Sequence, residues 1–221
     1  MLGEIGFYLS SPSNREKVLG LLGEHVYLAI LPLLIGLLLA VPVGWFVQRT
    51  RWLRGAVLSA ANVLYTLPSL ALFVIMPSIL GTLIADPLNV VVALAVYTTA
   101  LLLRPVVDAL DAVPGHIVAA ATAMGYPPAR RFRSVELPLA VPVLAAGVRV
   151  ASVSHISLVS VGALIGIGGL GELFTEGFQL QYPAPIAIGI VLTLALALLL
   201  DLVLVGLRRV LTPWVRTGAA S

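Results

Sequence analysis

Few residues in this sequence have the spacing that chemistry requires. The histidines His25, His116 and His155 are not spaced as a metal site, and no Ser-His-Asp arrangement is evident. The chain has no cysteine, which excludes disulfides, Cys-ligated zinc and thiol nucleophiles. It has no G-x-x-x-x-G-K-[ST] segment, and its only lysine is Lys17. We therefore expect no catalytic residue, metal or cofactor in this chain, and no enzymatic activity of the chain alone.

The composition is that of a membrane protein. Of the 221 residues, 60% are hydrophobic and 10% are charged, whereas soluble domains are about 25% charged. The mean hydropathy is +1.08. The formal net charge is only +3, so we interpret the basic residues as topology signals and expect a lipid bilayer, not nucleic acid, as the partner.

Five apolar segments are long enough to cross a bilayer, which takes about 20 helical residues. They predict an all-α polytopic membrane protein with about five transmembrane helices, at Glu24–Val47, Ala56–Leu80, Leu88–Leu110, Leu139–Ile165 and Pro185–Leu207. Residues 1–23 form an external or interfacial segment, 24–210 the transmembrane domain and 211–221 a tail. A capping box at Ser13–Glu16 predicts a helical start that extends the first span, and a separate interfacial helix is the alternative.

The arginines predict the orientation of the spans. Alternate loops and the tail carry nine of the thirteen basic residues, and the intervening loops 81–87 and 166–184 carry none; the nine are Arg49, Arg51, Arg54, Arg130, Arg131, Arg133, Arg208, Arg209 and Arg216. The positive-inside rule places these loops in the cytoplasm. We therefore expect the N-terminus outside and the C-terminus inside. The glycine-rich segment 166–171 then lies at the external mouth, where we expect tight turns.

Polar residues inside the spans are candidates for function, because a charge at the bilayer centre costs about 2.5–3.5 kcal/mol on insertion scales. On a helical wheel Ser152, Ser157 and Ser160 lie within about 80° of Arg149. This stripe faces a transmembrane path or a partner subunit; alternatively, Arg149 snorkels and the serines bond to their own backbone. Asp201 lies at a similar depth in the last span. We therefore predict a buried Arg149–Asp201 pair, within or between subunits.

Pro68 should kink or break the second span. A broken helix beside a path is common in transporters, although a purely structural kink is an equal alternative. Tyr65, Tyr97 and Phe73 fall within spans and have the aromatic faces that bind quaternary ammonium groups. The candidates for a transmembrane path are therefore Tyr65, Pro68, Arg149, Ser152, Ser160 and Asp201.

The longest predicted cytoplasmic segment runs from Asp111 to Pro138. Its residues 117–124 are small, apolar and helix-prone, and Gly125 should end that helix as a C′ glycine. Tyr126-Pro127-Pro128 forces a bend. A second short helix then leads into the fourth span. The sequence predicts two short helices across the cytoplasmic face, with small alanines that let another protein approach closely.

This segment resembles the EAA loop of permease subunits of ABC importers. The resemblance is carried by Ala120-Ala121, then Gly125, then nine residues, then Val135-x-Leu137-Pro138. In that family the loop forms coupling helices that dock in a groove of the ATPase subunit. The resemblance thus assigns ATPase coupling to Ala119, Ala120, Ala121, Gly125, Val135, Leu137 and Pro138. Ala119 stands where the family has its leading Glu, which puts any salt bridge of that Glu in doubt but not the docking.

The resemblance extends over nearly the whole chain and narrows to the glycine betaine, carnitine and choline permeases. It rests on Glu24-His25, residues 61–72, residues 135–140 and residues 164–174. It implies a methionine-permease-like fold, a prokaryotic inner-membrane location, a second permease subunit, an external binding protein, and ATP and Mg²⁺ held by partner ATPase subunits. A methionine permease is the nearest alternative. A secondary transporter or channel that needs no ATP, and a membrane scaffold, are the alternatives from other classes.

Overall fold

The computed structural model describes residues 2–214, and over this range it consists of helices and loops without strands. Residues 215–221, with Arg216 and most of the predicted tail, lie outside the described residues. The helices are α1 (Leu2–Ser10), α2 (Pro12–Arg49), α3 (Arg51–Thr66), α4 (Ser69–Leu80), α5 (Pro87–Asp111), α6 (Gly115–Ala123), α7 (Pro128–Arg131), α8 (Leu137–Val161), α9 (Glu172–Gln179) and α10 (Pro183–Leu211).

Membrane-spanning segments agree with the five predicted from hydropathy. Within residues 2–214, α2, α5, the helix from Pro128 to Ile165, and α10 are each long and apolar enough to cross a bilayer. The helices α3 and α4 together are a fifth candidate, but they meet at an angle of 99°. The all-α, polytopic fold class is therefore confirmed.

The break between α3 and α4 follows from proline chemistry. Pro68 cannot donate a backbone hydrogen bond and disfavours helical backbone in the residue before it. Leu67 is accordingly extended, with φ −62° and ψ 141°. The predicted kink or break at Pro68 is a complete break.

Helix α5 lies at the centre of the bundle and packs against α2, α3, α4 and α8. Small residues on one face of α2, at Gly36, Ala40 and Gly44, allow α5 to approach closely. A Cβ at Gly36 would lie 2.3 Å from the Cβ of Thr98, and one at Gly44 would lie 2.5 Å from a Val106 methyl. Small residues at four-residue spacing commonly bring membrane helices together in this way.

The N-terminus contains two helices where the sequence left the choice open. Helix α1 is separate, and α2 starts at Pro12 and continues without interruption into the first span. The predicted capping box at Ser13 is wrong, because α2 starts earlier, at Pro12, with Ser11 as its N-cap. The fixed φ of proline suits the first position of a helix. Asn14 Nδ2 instead donates to the carbonyl of Tyr8 at 3.0 Å, which ties α1 to α2.

Candidate functional site at the arginine-rich end of the bundle

Helix α6 is short and presents small residues outward. Its N-terminal neighbour Pro114 is extended, and Pro114 and Gly115 start the helix. Ala119 and Ala120 are exposed, whereas Ala121 is buried against the bundle. Met124, at the end of α6, is 70% exposed. The structure therefore brings these residues together as a shallow apolar surface that we call the α6 surface (Ala119, Ala120, Ala123 and Met124).

Gly125 ends α6 in the conformation that the sequence predicted. Its φ is +82°, in the left-handed region that favours glycine. The amide of Gly125 donates to the carbonyl of Thr122 at 2.9 Å, and that of Tyr126 donates to the carbonyl of Ala121 at 3.1 Å. These two bonds form a Schellman motif, which satisfies carbonyls at the helix end.

The second half of the segment differs from the prediction of a second short helix across the face. Helix α7 continues through a π-helical turn at Phe132–Glu136 directly into α8. Leu137 donates its N–H to the carbonyl of Phe132, five residues earlier. Pro138 has no N–H to donate, so an α-helical bond cannot form at that position. The Leu137-Pro138 pair thus changes the helical register without ending the helix, and Val135 is half-buried in the turn.

Glu136 makes the strongest polar contacts of this region. Its carboxylate accepts hydrogen bonds from Arg49 Nη2 at 3.0 and 3.2 Å and from Arg131 Nε at 2.7 Å. The Glu136 residue is 6% exposed. Arg131 Nη1 also donates to the Thr122 hydroxyl. Sequence reasoning assigned no role to Glu136, although it is the only carboxylate between Gly115 and Pro138.

The predicted ion pair between Arg149 and Asp201 is present. Arg149 Nε and Nη2 donate to the two carboxylate oxygens of Asp201 at 2.6 and 2.8 Å, which joins α8 to α10. Their side chains are 39% and 28% exposed, so one chain covers the pair only in part. The pairing prediction is confirmed, with less burial than expected.

The serines of the predicted stripe differ in exposure, since Ser157 is exposed and Ser152 is not. Ser152 is fully buried and its hydroxyl donates to the carbonyl of Arg149 at 2.8 Å, as the alternative interpretation expected. Ser160 has a buried hydroxyl oxygen without a hydrogen-bond partner among the described residues. Ser152 therefore faces the interior of the single chain, and the polar stripe is not a continuous exposed surface.

At the α3–α4 break, the Tyr65 and Tyr97 rings meet edge to face with centroids 5.5 Å apart. The Tyr97 hydroxyl donates to the carbonyl of Leu67, which the break has freed. Tyr65 is 39% exposed, whereas Phe73 is fully buried in the core. Sequence reasoning missed a polar face of α3 that the chain leaves uncovered, formed by Ser59, Asn62 and Thr66.

At the other end, the glycine-rich segment 166–171 makes tight turns, as predicted. The buried His25 accepts from the amide of Leu170 at 3.2 Å through Nδ1, and its Nε2 lies 3.1 Å from the carbonyl of Ile156. His155 is buried beside the Thr98 hydroxyl. Within residues 2–214 no group of three or more His, Asp or Glu side chains could hold a metal ion.

These features define a class: a multi-pass helical membrane protein with a broken span and an exposed short helix at its arginine-rich end. Residues 33–217 match the family model described as "Binding-protein-dependent transport system inner membrane component". The match covers most of the chain, and the chain therefore belongs to this family. It is a transport component of the inner membrane.

Curated relatives align with this chain over nearly their whole length. The chain is 33% identical to the choline transport system permease protein OpuBB of Bacillus subtilis (strain 168) over 201 residues, which is 91% of each protein. It is 34% identical to the osmoprotectant import permease protein OsmW of Salmonella typhimurium over 203 residues, which is 90% of this chain and 94% of the relative. The resemblance to osmoprotectant permeases is therefore confirmed.

A solved structure shares the fold. The MetNI methionine ABC transporter in inward-facing conformations has a chain that matches with a TM-score of 0.81 and 23% identity. The match covers 91% of this chain and 99% of that chain. This likeness shows that the fold is that of a methionine-transporter permease.

Proposed function

We propose that the chain is the permease subunit of an ATP-driven importer for a small quaternary amine such as choline, glycine betaine or carnitine. Relatives that are at least 30% identical over about nine-tenths of the chain have these substrates in their names, and another is named an osmoprotectant permease; this observation carries the proposal. ATP and Mg²⁺ are bound by a separate ATPase subunit. An external binding protein delivers the substrate, and a second permease subunit, identical or similar, completes the path.

The arginine-rich end faces the cytoplasm in this proposal, with the N-terminus outside and the C-terminus inside. The positive-inside rule supports it, because the loops at that end carry nine basic residues and the loops at the other end carry none. Arg15 and Lys17, near the start of α2, are the exceptions. The α6 surface then points towards the cytoplasmic ATPase. ATP-driven closure of two ATPase subunits brings the two α6 helices together and turns the path outward, and hydrolysis resets it.

Docking on the ATPase uses the α6 surface. Its exposed alanines leave room for close approach and Met124 adds a flexible apolar contact, which suits insertion of α6 into a groove. The Schellman motif at Gly125 sets the length of the inserted helix. Val135, Leu137 and Pro138 lie in or beside the π-helical turn and contribute to coupling by holding the loop on the bundle.

The path runs beside α3 and its break. The exposed face of α3 mixes the polar Ser59, Asn62 and Thr66 with apolar side chains such as Val63. An asparagine is costly against hydrocarbon, so we place Asn62 beside water or a second permease subunit. Tyr65 lies on the same exposed side, next to Pro68. Its ring face attracts a quaternary ammonium group through cation–π interaction. Arg149 and Asp201 lie on α8 and α10 and support a contact between subunits.

Reconstitution tests this proposal. The chain is co-expressed with an ATPase and a binding protein of the same transport system, purified in detergent and placed in proteoliposomes. We expect uptake of radiolabelled choline, glycine betaine or carnitine that requires ATP and the binding protein. Uptake driven by an ion gradient without ATP would indicate a secondary transporter, and uptake of methionine alone would place the chain with methionine permeases.

A further inference from the structure

We propose that Glu136 is the positioning residue through which movement of α6 reaches the membrane spans. The Glu136 cluster consists of Glu136, Arg49, Arg131 and Thr122, and it joins three separate elements: α2, the α7–α8 helix and α6. The inference rests on the proposed function for its consequence in transport. Its structural part, that the cluster fixes where α6 lies, is independent of that function.

Burial and charge make Glu136 the centre of the cluster. Its side chain is 7% exposed, against 29% for Arg49 and 16% for Arg131. A carboxylate with this little water needs charged partners, and two guanidinium groups supply them from different helices. Arg49 also lies over the Trp45 ring, 4.4 Å from its centroid, and Trp45 packs 5.0 Å from the Phe132 ring. The end of α2 is thus fixed to the π-helical turn by charge and by aromatic packing.

Among the described residues, the side-chain hydrogen bonds that link helix α6 to this centre pass through Arg131. Val118 and Ala121 of α6 also pack against the bundle. Arg131 uses Nε for Glu136 and Nη1 for the Thr122 hydroxyl, which itself donates to the carbonyl of Val118 at 2.8 Å. Thr122 lies in the last turn of α6, next to Gly125. A displacement of α6 therefore pulls on Arg131, and through Glu136 on Arg49 and α2.

The π-helical turn explains why Glu136 faces inward. The five-residue bond from Leu137 to Phe132 inserts an extra residue into the helix, and Pro138 prevents its return to α-helical register at that point. Glu136 is the variable position of the Val135-x-Leu137-Pro138 pattern. The pattern thus fixes the direction in which Glu136 points, although it does not require a glutamate at that position.

Spin labels test the structural part of the proposal. The chain has no cysteine, so single cysteines can be placed freely at Met124 on α6 and at Phe46 on α2, which are 70% and 57% exposed. The distance between the two labels is measured by pulsed electron paramagnetic resonance in the permease without its ATPase. We expect a narrow distribution in the otherwise unchanged chain, a broad one in Glu136→Gln and an intermediate one in Thr122→Val.

Asp108→Asn is the matched control, since it also converts a carboxylate to an amide. The Asp108 side chain is 51% exposed, and its ion pair within residues 2–214 is with Arg104, four residues before it on the same helix, at 3.6 Å. We expect its label distances to equal those of the unchanged chain. A narrow and unshifted distribution in Glu136→Gln would overturn the proposal, whatever the chain transports.

Coupling tests the functional part. In proteoliposomes with the ATPase and binding protein, we expect Glu136→Gln to bind the ATPase and hydrolyse ATP while substrate moved per ATP falls about tenfold, the effect of losing one charged hydrogen bond. A fall in yield with an unchanged ratio would show a purely structural role and overturn this part. If even the unchanged chain moves no substrate with ATP, the proposed function fails. The label distances alone then show whether the Glu136 cluster fixes the position of α6.

Discussion

Glycines lie at both ends of the bundle, but their surroundings differ. At the arginine-rich end, a Cβ added to Gly115 or Gly125 would meet nothing within 4 Å. At the other end, a Cβ would lie between 2.1 and 2.7 Å from a neighbouring atom at each of Gly162, Gly168, Gly169 and Gly171. Gly125 at the first end is required for its backbone conformation, with φ +82°. The four crowded glycines at the second end are required for space, although Gly166 there also has a positive φ in open surroundings.

This difference matches the way in which each end is held. The glycine-rich end is closed by backbone packed on backbone, with His25 bonded between α8 and Leu170. The arginine-rich end is held by the Glu136 cluster and by side chains of its loop, such as Val113 and Val118, that pack on the bundle. Close backbone packing admits no sliding, whereas side-chain contacts permit a small movement of α6. We therefore expect a rigid glycine-rich end, which is the outer end in the proposed orientation, and a movable arginine-rich end, which is the inner end. The predictions below test this difference.

Substitution at the glycine-rich end should have the largest effect. Gly171 has ordinary helical backbone, with φ −63°, so Gly171→Ala adds only a methyl group. That methyl would lie 2.5 Å from the carbonyl oxygen of Ser160 and 2.6 Å from its Cα. Because the obstacle is backbone, we expect a loss of at least about 1–3 kcal/mol, as for overpacked cores, and little folded permease.

The measurement is the yield of monodisperse permease in detergent and its thermal unfolding temperature. Gly206→Ala in α10 is the control, since its Cβ meets nothing within 4 Å. A helix-interior glycine costs up to about 1 kcal/mol relative to alanine, so the control should be neutral or slightly more stable. Equal yields of the two variants would contradict the rigid outer end.

Substitution at Gly125 should come next, with loss of coupling but not of folding. Gly125→Val forces a β-branched residue to φ +82°, which costs about 1–2 kcal/mol or more locally. We expect the turn after α6 to rearrange and ATP-driven uptake to fall about tenfold, in line with that cost, while the yield of folded permease stays near normal. Gly115→Val is the matched control in the same loop, because Gly115 is surrounded by open space and has ordinary backbone. Unchanged uptake in Gly125→Val would refute the coupling role of the loop.

Local sequence signals predicted much of this fold. Hydropathy located the spans, proline chemistry located the break at Pro68, and the alanine-glycine pattern located the turn at Gly125. The pairing of Arg149 with Asp201 was predictable because both charges lie at a similar depth in apolar helices.

Long-range and register effects were not predictable in the same way. Glu136 meets Arg49, which lies 87 positions away in the chain, and no local pattern announces that contact. The prolines at 127, 128 and 138 indicated two interrupted helices. The structure accommodates Pro128 as a first helical residue and Pro138 beside a π-helical bond, so the helix continues into α8.

The Arg149–Asp201 pair lies on neither of the two ends, and neutralising it should have a smaller effect. In Arg149→Met or Asp201→Leu one charge stays in an apolar setting without its partner, so we expect several-fold lower uptake. The double variant removes both charges and should recover a large part of the activity. The same changes at Arg104 and Asp108, which are 65% and 51% exposed, should matter little. A double variant no better than either single one would show that the two residues do not act as a pair.

The smallest effect should come from Lys17, at the outer end, because charge contributes little there. Lys17 Nζ lies 3.0 Å from Glu176, but its side chain is 43% exposed, and exposed pairs contribute about 0–1 kcal/mol. Lys17→Met should therefore change the unfolding temperature only slightly near neutral pH, and transport should be normal. If the loss of stability equalled that of Gly171→Ala, the outer end would depend on charge as the inner end does.

A pH series makes the Lys17 variant more informative. Burial raises the pKa of the neighbouring Glu172, and the positive charge of Lys17 lowers it in part. A carboxyl group whose pKa is raised on folding contributes most stability below its unfolded pKa, and that contribution is lost as the pH rises through the folded pKa. Without Lys17 the pKa of Glu172 rises further, so stability should decline more in Lys17→Met than in the unchanged chain as the pH rises above about 4.3, the ordinary pKa of a glutamate. Parallel unfolding curves over this range would show that Lys17 does not act on Glu172, and the outer end would then depend on packing alone.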